Sequence, residues 1–269
     1  SFIGYISRFY DPLRQLAALW ANFQVALAGW DRISEILALN TNLETLPALP
    51  ATAGGLMEFR DVHFSYPDGK EVLRGINLTL RQGQTYALVG PTGGGKTTTA
   101  SLMARLYDPT QGQVLLAGAD IRTFTPAARS AKIGFILQEP FLFTGTVRDN
   151  ILYGNDRYRD LTAEGLTREL EKLGLAKLLT RFPEGLETNV LTSGDAISLG
   201  QKQLIAFIRA VLREPDLLIL DEATANVDTV TEQLLEEILS KLPATTTRVI
   251  IAHRLNTIEN ADEIFFVNS

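Results

Sequence analysis

The strongest constraint on the fold of this chain is a glycine-rich segment set between an aliphatic run and a helix-forming run. Tyr86-Ala-Leu-Val89 leads into Gly90-Pro-Thr-Gly-Gly-Gly-Lys-Thr97, and Thr98 to Leu106 follows. The spacing is Gly, four residues, Gly-Lys-Thr, placed where a short buried strand gives way to a helix. Glycines at 90, 93, 94 and 95 let the backbone curve so that successive N–H groups point inward, and a helix starting near Gly95 adds its positive dipole end. Anionic phosphates fit such a cradle, walled by Pro91 and Thr92 and continued by Thr98. Lys96 can reach terminal phosphates as a point charge, and the Thr97 hydroxyl can ligate a magnesium ion that keeps most of its water. The plainer alternative, a flexible glycine loop, leaves the flanking strand and helix patterns unexplained.

A second segment, Leu217-Leu-Ile-Leu-Asp-Glu222, carries four large aliphatics into two carboxylates. That is the pattern of a fully buried parallel strand delivering acids to its C-terminal edge. Asp221 suits a magnesium shell, and Glu222 suits the orientation or deprotonation of an attacking water. An Asp-Glu pair alone is usually a solvated surface charge; the four aliphatics and the glycine loop set this one apart.

Composition narrows the partners. With 269 residues, 45% hydrophobic and 21% charged, the chain is globular and holds one large domain or two smaller ones. A net charge of −6, without clustered Lys and Arg, argues against a nucleic-acid partner held by electrostatics. Cysteine is absent, which excludes a disulfide frame and thiolate metal sites. No uncharged apolar run of about 18 residues exists to span a bilayer, and no signal peptide is visible at Ser1.

Residues 1–39 place Phe2, Ile6, Phe9, Leu13, Leu16, Trp20, Phe23, Leu27, Trp30, Ile33 and Leu37 at three- and four-residue steps. This predicts a long amphipathic helix with a bend near Asp11-Pro12. A linker rich in Thr, Pro, Ala and Gly covers residues 40–55, and the folded domain spans 56–269. Alternation from Leu56 to Leu80 around Pro67-Asp68-Gly69 predicts antiparallel strands. Further strands are expected near Gln113–Leu116, Ile133–Leu137, Arg248–Ala252 and Glu263–Val267. Helices are expected over Leu161–Leu179, Leu199–Leu212 and Glu232–Leu242. The sum is an α/β three-layer P-loop nucleotide-binding core with an antiparallel β subdomain and a helical subdomain inserted at about residues 139–214.

Just upstream of the Asp221 strand, Ile197-Ser-Leu-Gly-Gln201 resembles the Leu-Ser-Gly-Gly-Gln signature of ATP-binding cassette proteins; Ile197 and Leu199 depart from it, while Ser198, Gly200 and Gln201 are kept. The resemblance covers residues 56–269. It implies that Tyr66 stacks on adenine, a contact worth ~1–3 kcal/mol by analogy with base stacking, against the alternative of a core aromatic on a strand. It also implies a Gln138 that meets magnesium and water, an Asp228 in the loop after the catalytic Glu222, and a His253 that contacts the γ-phosphate. His253 ends the aliphatic run Val249–Ala252, as a residue emerging at the sheet edge beside Asp221 would; His63 carries no such signal. Catalysis then falls to Glu222, His253, Gln138 and Lys96, with ATP as substrate and Mg2+ held by Thr97, Gln138 and Asp221.

The stretch Glu139-Pro-Phe-Leu-Phe-Thr-Gly-Thr-Val-Arg-Asp-Asn-Ile151 is similar to the exporter branch of that family, where it meets transmembrane domains. The amphipathic N-terminus resembles the cytoplasmic end of a last transmembrane helix, and the end at Ser269 falls short of the family's usual C-terminal helix. The implied setting is the cytoplasmic face of a membrane, with the transmembrane domains outside this chain. The family also implies a second ATPase domain as partner, because Ser198, Leu199, Gly200 and Gln201 would act on ATP held by the other domain. Leu199 in place of glycine, and Leu191-Thr-Ser-Gly194 without the usual acidic residue, resemble a heterodimer with one degenerate site; a homodimer that tolerates Leu199 is the alternative. A soluble cassette ATPase acting on nucleic acid would carry coiled-coil insertions or basic tracts, and a regulatory module without turnover would lack Glu222 or His253.

Overall fold

The structure, a computed structural model, describes residues 10–27, 43–47, 54–67, 69–190, 197–221, 228–253 and 255–268. Contacts divide the chain into two units, Ser1–Glu44 and Thr45–Ser269. In the first, residues 10–27 form helix α1, whose apolar residues, Leu16, Leu19 and Trp20 among them, are exposed. The helix runs through Pro12; the rest of the expected 1–39 helix lies outside the described residues. No helix among the described residues is long and apolar enough to cross a membrane.

The second unit holds two main sheets. Strands β1 (Met57–Ser65), β2 (Glu71–Leu80), β4 (Gln111–Leu116) and β5 (Ala119–Asp120) pair antiparallel in the order β2-β1-β4-β5. Alternate residues Met57, Phe59, Val62 and Phe64 of β1 are buried, with a register shift around Asp61, whose φ is +47°. Strands β3 (Thr85–Val89), β6 (Ile133–Ile136), β9 (Leu217–Asp221), β10 (Thr247–Ile251) and β11 (Glu263–Phe266) form a wholly parallel sheet in the order β11-β3-β10-β9-β6. Both faces of that sheet are covered, which accounts for the unbroken aliphatic runs. Leu217, Ile219, Val249 and Ile251 join one core with helix α2 (Lys96–Met103) and the antiparallel sheet; Leu218 and Leu220 join another with helices farther along the chain.

Between the adjacent strands β6 and β9 the chain makes a mostly helical excursion. It holds α4 (Val147–Leu152), α5 (Ala163–Lys172), 3-10 turns at Ala176–Arg181 and Gly185–Glu187, the short hairpin β7 (Gly145–Thr146) and β8 (Asn189–Val190), and α6 (Leu199–Arg213). The helix α3 (Pro126–Lys132) precedes β6; α7 (Thr229–Ser240) and α8 (Leu255–Glu259) follow β9 and β10. The single helix expected over Leu161–Leu179 is split in two. Gly174 takes φ +71°, and the Leu175 and Gly174 amides bond back to the Leu170 and Glu171 carbonyls, closing α5.

Candidate functional site

The glycine loop leaves β3 between its two sheet neighbours, β10 and β11. Gly90 has φ +147°, and a Cβ there would sit 2.1 Å from the Val267 carbonyl oxygen, so no side chain fits. Gly93 and Gly95 also lie at positive φ, +80° and +97°, and Gly95 is the N-cap of α2. The Gly94 amide turns onto the Pro91 carbonyl at 3.0 Å. Lys96 folds back across the loop, its Nζ donating to the carbonyls of Gly90 (2.7 Å) and Pro91 (3.0 Å). Thr97 is exposed, while Thr98 is buried with its hydroxyl 2.9 Å from the Tyr66 hydroxyl. Tyr66 stands just past the end of β1, partly buried against Phe64 and Tyr107.

Parallel pairing sets Asp221 opposite Ile251, two residues before His253. His253 Nε2 lies 3.5 Å from Asp221 Oδ1, an oxygen that is buried and has no hydrogen-bond partner among the described residues. A buried carboxylate oxygen left without a donor is costly unless a cation or water completes it, so Asp221 fits a magnesium ligand on physical grounds. Thr97 and Gln138, the other two expected ligands, are both exposed and open to an ion. Glu222 lies outside the described residues, as does Leu191–Gly194.

Gln138 lies past the end of β6, and its carbonyl accepts from Nε2 of Gln203 on α6 at 3.3 Å. Gln203 is almost fully buried, with Oε1 unpartnered among the described residues. It lines a cavity of about 310 Å³ together with Leu137, Leu220, Asp221 and Ile250. This residue was not foreseen; its only sequence signal is an amide among the apolar positions of a helix.

The Ser198–Gln201 segment proves to be a capping box. The Ser198 hydroxyl accepts from the Gln201 amide (3.2 Å), and Gln201 Oε1 accepts from the Ser198 amide (2.9 Å). The second amide arm of Gln201 ties the box to the Arg181 carbonyl at 2.7 Å. Leu199 occupies the first turn of α6 and is not among the residues at positive φ, so its side chain brings no backbone strain. Gly200 faces α7, where a Cβ would meet Thr231 Cγ2 at 3.2 Å. Thr231 in turn donates its amide and hydroxyl to Asp228, the N-cap of α7 (3.1 and 2.6 Å), and these bonds hold the Asp228 carboxyl below its ordinary value. Gly200 and Asp228 therefore meet at one residue, Thr231. The Ser-x-x-Gln spacing is a capping-box pattern that the signature resemblance alone does not bring out, and nothing in the sequence marks the contact with α7.

A second polar network fixes the stretch from Phe141 to Ile151. Asn150, almost fully buried, accepts from the Phe143 amide (2.8 Å) and donates to the carbonyls of Phe143 (2.8 Å) and Thr146 (3.0 Å). Arg209 of α6 donates to the Asn150 carbonyl at 2.6 Å, and burial lowers its pKa to about 10. A cation inside the run Ala206-Phe-Ile-Arg-Ala-Val211 is the signal that points to it. Phe141 itself stays exposed.

A family model described as ABC transporter matches residues 73–225. An uncharacterized ABC transporter ATP-binding protein, YfiC, of Bacillus subtilis is 43% identical over 98% of this chain and 43% of its own length. A fatty acid ABC transporter ATP-binding/permease protein of Mycobacterium bovis is 38% identical over the whole chain and 42% of its own length. Among solved structures, a bacterial Atm1-family ABC exporter with ATP bound superposes with a TM-score of 0.74 at 30% identity, covering 98% of this chain and 46% of that one. The chain thus spans less than half the length of these relatives.

Proposed function

The chain belongs to the ABC transporter family, and from that membership we propose that it binds and hydrolyses ATP to drive export of a substrate across a membrane. The observation that carries the reading is the meeting, at the C-terminal edge of one parallel sheet, of the Gly90–Thr97 loop, Asp221 and His253. Ligands in such sheets sit outside the carboxyl ends of the strands. In this reading Tyr66 stacks on the base, the amides of Thr92, Gly93 and Gly95–Thr98 at the α2 N-terminus hold the phosphates, and Lys96 exchanges its two loop carbonyls for phosphate oxygens. Thr97, Gln138 and Asp221 would hold magnesium, which when bound offsets negative charge on the phosphate oxygens. Glu222 orients the attacking water, and His253 contacts the γ-phosphate.

The unit of function is a pair of such domains. Ser198, Leu199, Gly200 and Gln201 face ATP held by the other domain, with Asp228 beside them through Thr231, and the whole lies at the cytoplasmic face of the membrane. The Phe141–Ile151 stretch, braced by Asn150 and Arg209, passes motion to the transmembrane domains, of which α1 is the cytoplasmic extension. The altered signature at Leu199 favours a heterodimer in which this chain gives its own Glu222 and His253 to the competent site. The test is Glu222→Gln in the assembled transporter, read by nucleotide binding and by phosphate release. Binding is retained and turnover abolished if the assignment holds; turnover that survives overturns it.

A further inference from the structure

Tyr107 is an aromatic residue with no part in the proposed chemistry, yet its ring packs against that of Tyr66. Its ring centroid lies 5.6 Å from that of Tyr66 at an interplanar angle of 85°, and 5.4 Å from that of Phe64 at 54°. Phe64 and Tyr66 themselves meet edge-on at 4.9 Å and 86°. Three rings packed in this way are mutually attractive through their quadrupoles, beyond the area they bury. Phe64 is buried on β1, while Tyr107 keeps 42% of its surface exposed.

Tyr107 is also held on both sides. Before it, Arg105 is almost fully buried at φ +51°, donating from Nε and Nη2 to the two Asp108 oxygens at 2.9 and 3.3 Å. After it, the Thr110 amide and hydroxyl both bond the His63 carbonyl at 2.9 Å, returning the segment to β1 three residues before Tyr66. The turn that carries Tyr107 closes α2, whose first turn carries Thr98, the partner of the Tyr66 hydroxyl. Helix α2 and the turn that follows it therefore hold Tyr66 at two points: at its tip through Thr98, and on its ring through Tyr107.

Resting on the reading of Tyr66 as the base platform, we propose that Tyr107 is a positioning residue for the nucleobase. It fixes the rotation of the Tyr66 ring, which the hydroxyl bond alone leaves free, and so sets how strongly the chain prefers a purine nucleoside triphosphate over a bare triphosphate. Holding the ring in advance removes an ordering cost from base binding and none from phosphate binding.

The experiment is calorimetric titration of the 269-residue chain, with magnesium present, against ATP and against inorganic tripolyphosphate. Tyr107→Leu weakens ATP about three- to tenfold, the span set by edge-on ring pairs, and leaves tripolyphosphate unchanged. Tyr107→Phe, which keeps the ring, restores the wild-type ratio. Equal weakening of both ligands, as from a general loss of structure, or unchanged ATP affinity overturns the proposal. Tyr107→Met reads the same ratio if the leucine variant has lost its circular-dichroism melting transition. Tyr66→Leu separates the two layers: if it leaves ATP affinity intact, the base-platform reading fails, whereas if it weakens ATP and Tyr107→Leu does not, only the positioning role fails.

Discussion

Alanine at Gly95 should cost more than alanine at Gly93, although both glycines belong to one loop and both sit at left-handed φ. A Cβ at Gly93 meets nothing within 4 Å, so Gly93→Ala bears backbone strain alone, about 1–2 kcal/mol. A Cβ at Gly95 lies 2.7 Å from Leu73 Cδ2 and 3.4 Å from the Cγ1 atoms of Val72 and Val267. Leu73 is 1% exposed and has no solvent to swing into. Overpacking of that kind adds about 1–3 kcal/mol, for a total of about 2–5 kcal/mol, a large part of the 5–15 kcal/mol that holds an ordinary domain together. At about 2–4 °C per kcal/mol for a domain of this size, Gly95→Ala melts about 2–12 °C below Gly93→Ala. The assay is thermal unfolding by far-ultraviolet circular dichroism, with ATP titration alongside. Affinity falls in both variants, because relaxing the loop turns its amides away from the phosphates. A Gly93→Ala protein that melts at or below the Gly95→Ala protein would refute the argument that the α2 N-cap is wedged against β2.

Two further outcomes test other parts of the structure. Asn150→Ala leaves the Phe143 amide and the Phe143 and Thr146 carbonyls without their partner, at about 1–3 kcal/mol for each group left dry. Urea unfolding should show the loss, and hydrogen exchange should quicken at Phe143; unchanged stability contradicts the network. His63 bonds Glu71 at 3.1 Å and lies 3.4 Å from Asp61, and these carboxylates, Glu71 first, raise its pKa above 6.5. The protonated form is the one the folded state favours, so its stabilising effect is complete below pH 6.5 and fades as pH rises through the raised value. His63→Gln should flatten that part of the stability-against-pH curve, and a curve identical to wild type would sink the assignment.

Local signals located the strands of the site well. The run Leu217–Leu220 and the run Val249–Ala252 read as buried strands because a strand covered on both faces must be aliphatic throughout, and both are. The helix expected over Leu161–Leu179 ends at Lys172, with a 3-10 turn beyond it. Its apolar spacing continues past Gly174, and periodicity carries no record of the left-handed turn that ends α5 there. The Ser198 and Gln201 pair shows the reverse case, in which one short pattern serves two ends: it caps α6 and coincides with the signature resemblance. The pairing of Asn150 with Arg209 was not legible, because a polar side chain in an apolar context does not name its partner 59 residues away.

By itself, then, the sequence determined the elements and the chemistry each could bear: a glycine loop that only small residues can follow, carboxylates at the end of an aliphatic strand, and a histidine at the end of another. These are local properties, set by backbone sterics and by side-chain type. Which of them meet was decided by the tertiary structure alone. The order β11-β3-β10-β9-β6 interleaves segments from distant parts of the chain, bringing His253 within 3.5 Å of Asp221. The same packing sets Tyr66 against both the first turn of α2 and the turn that follows the helix. Contacts of that kind arise from how sheets and helices cover one another's apolar faces, a condition on the whole chain that no single segment records.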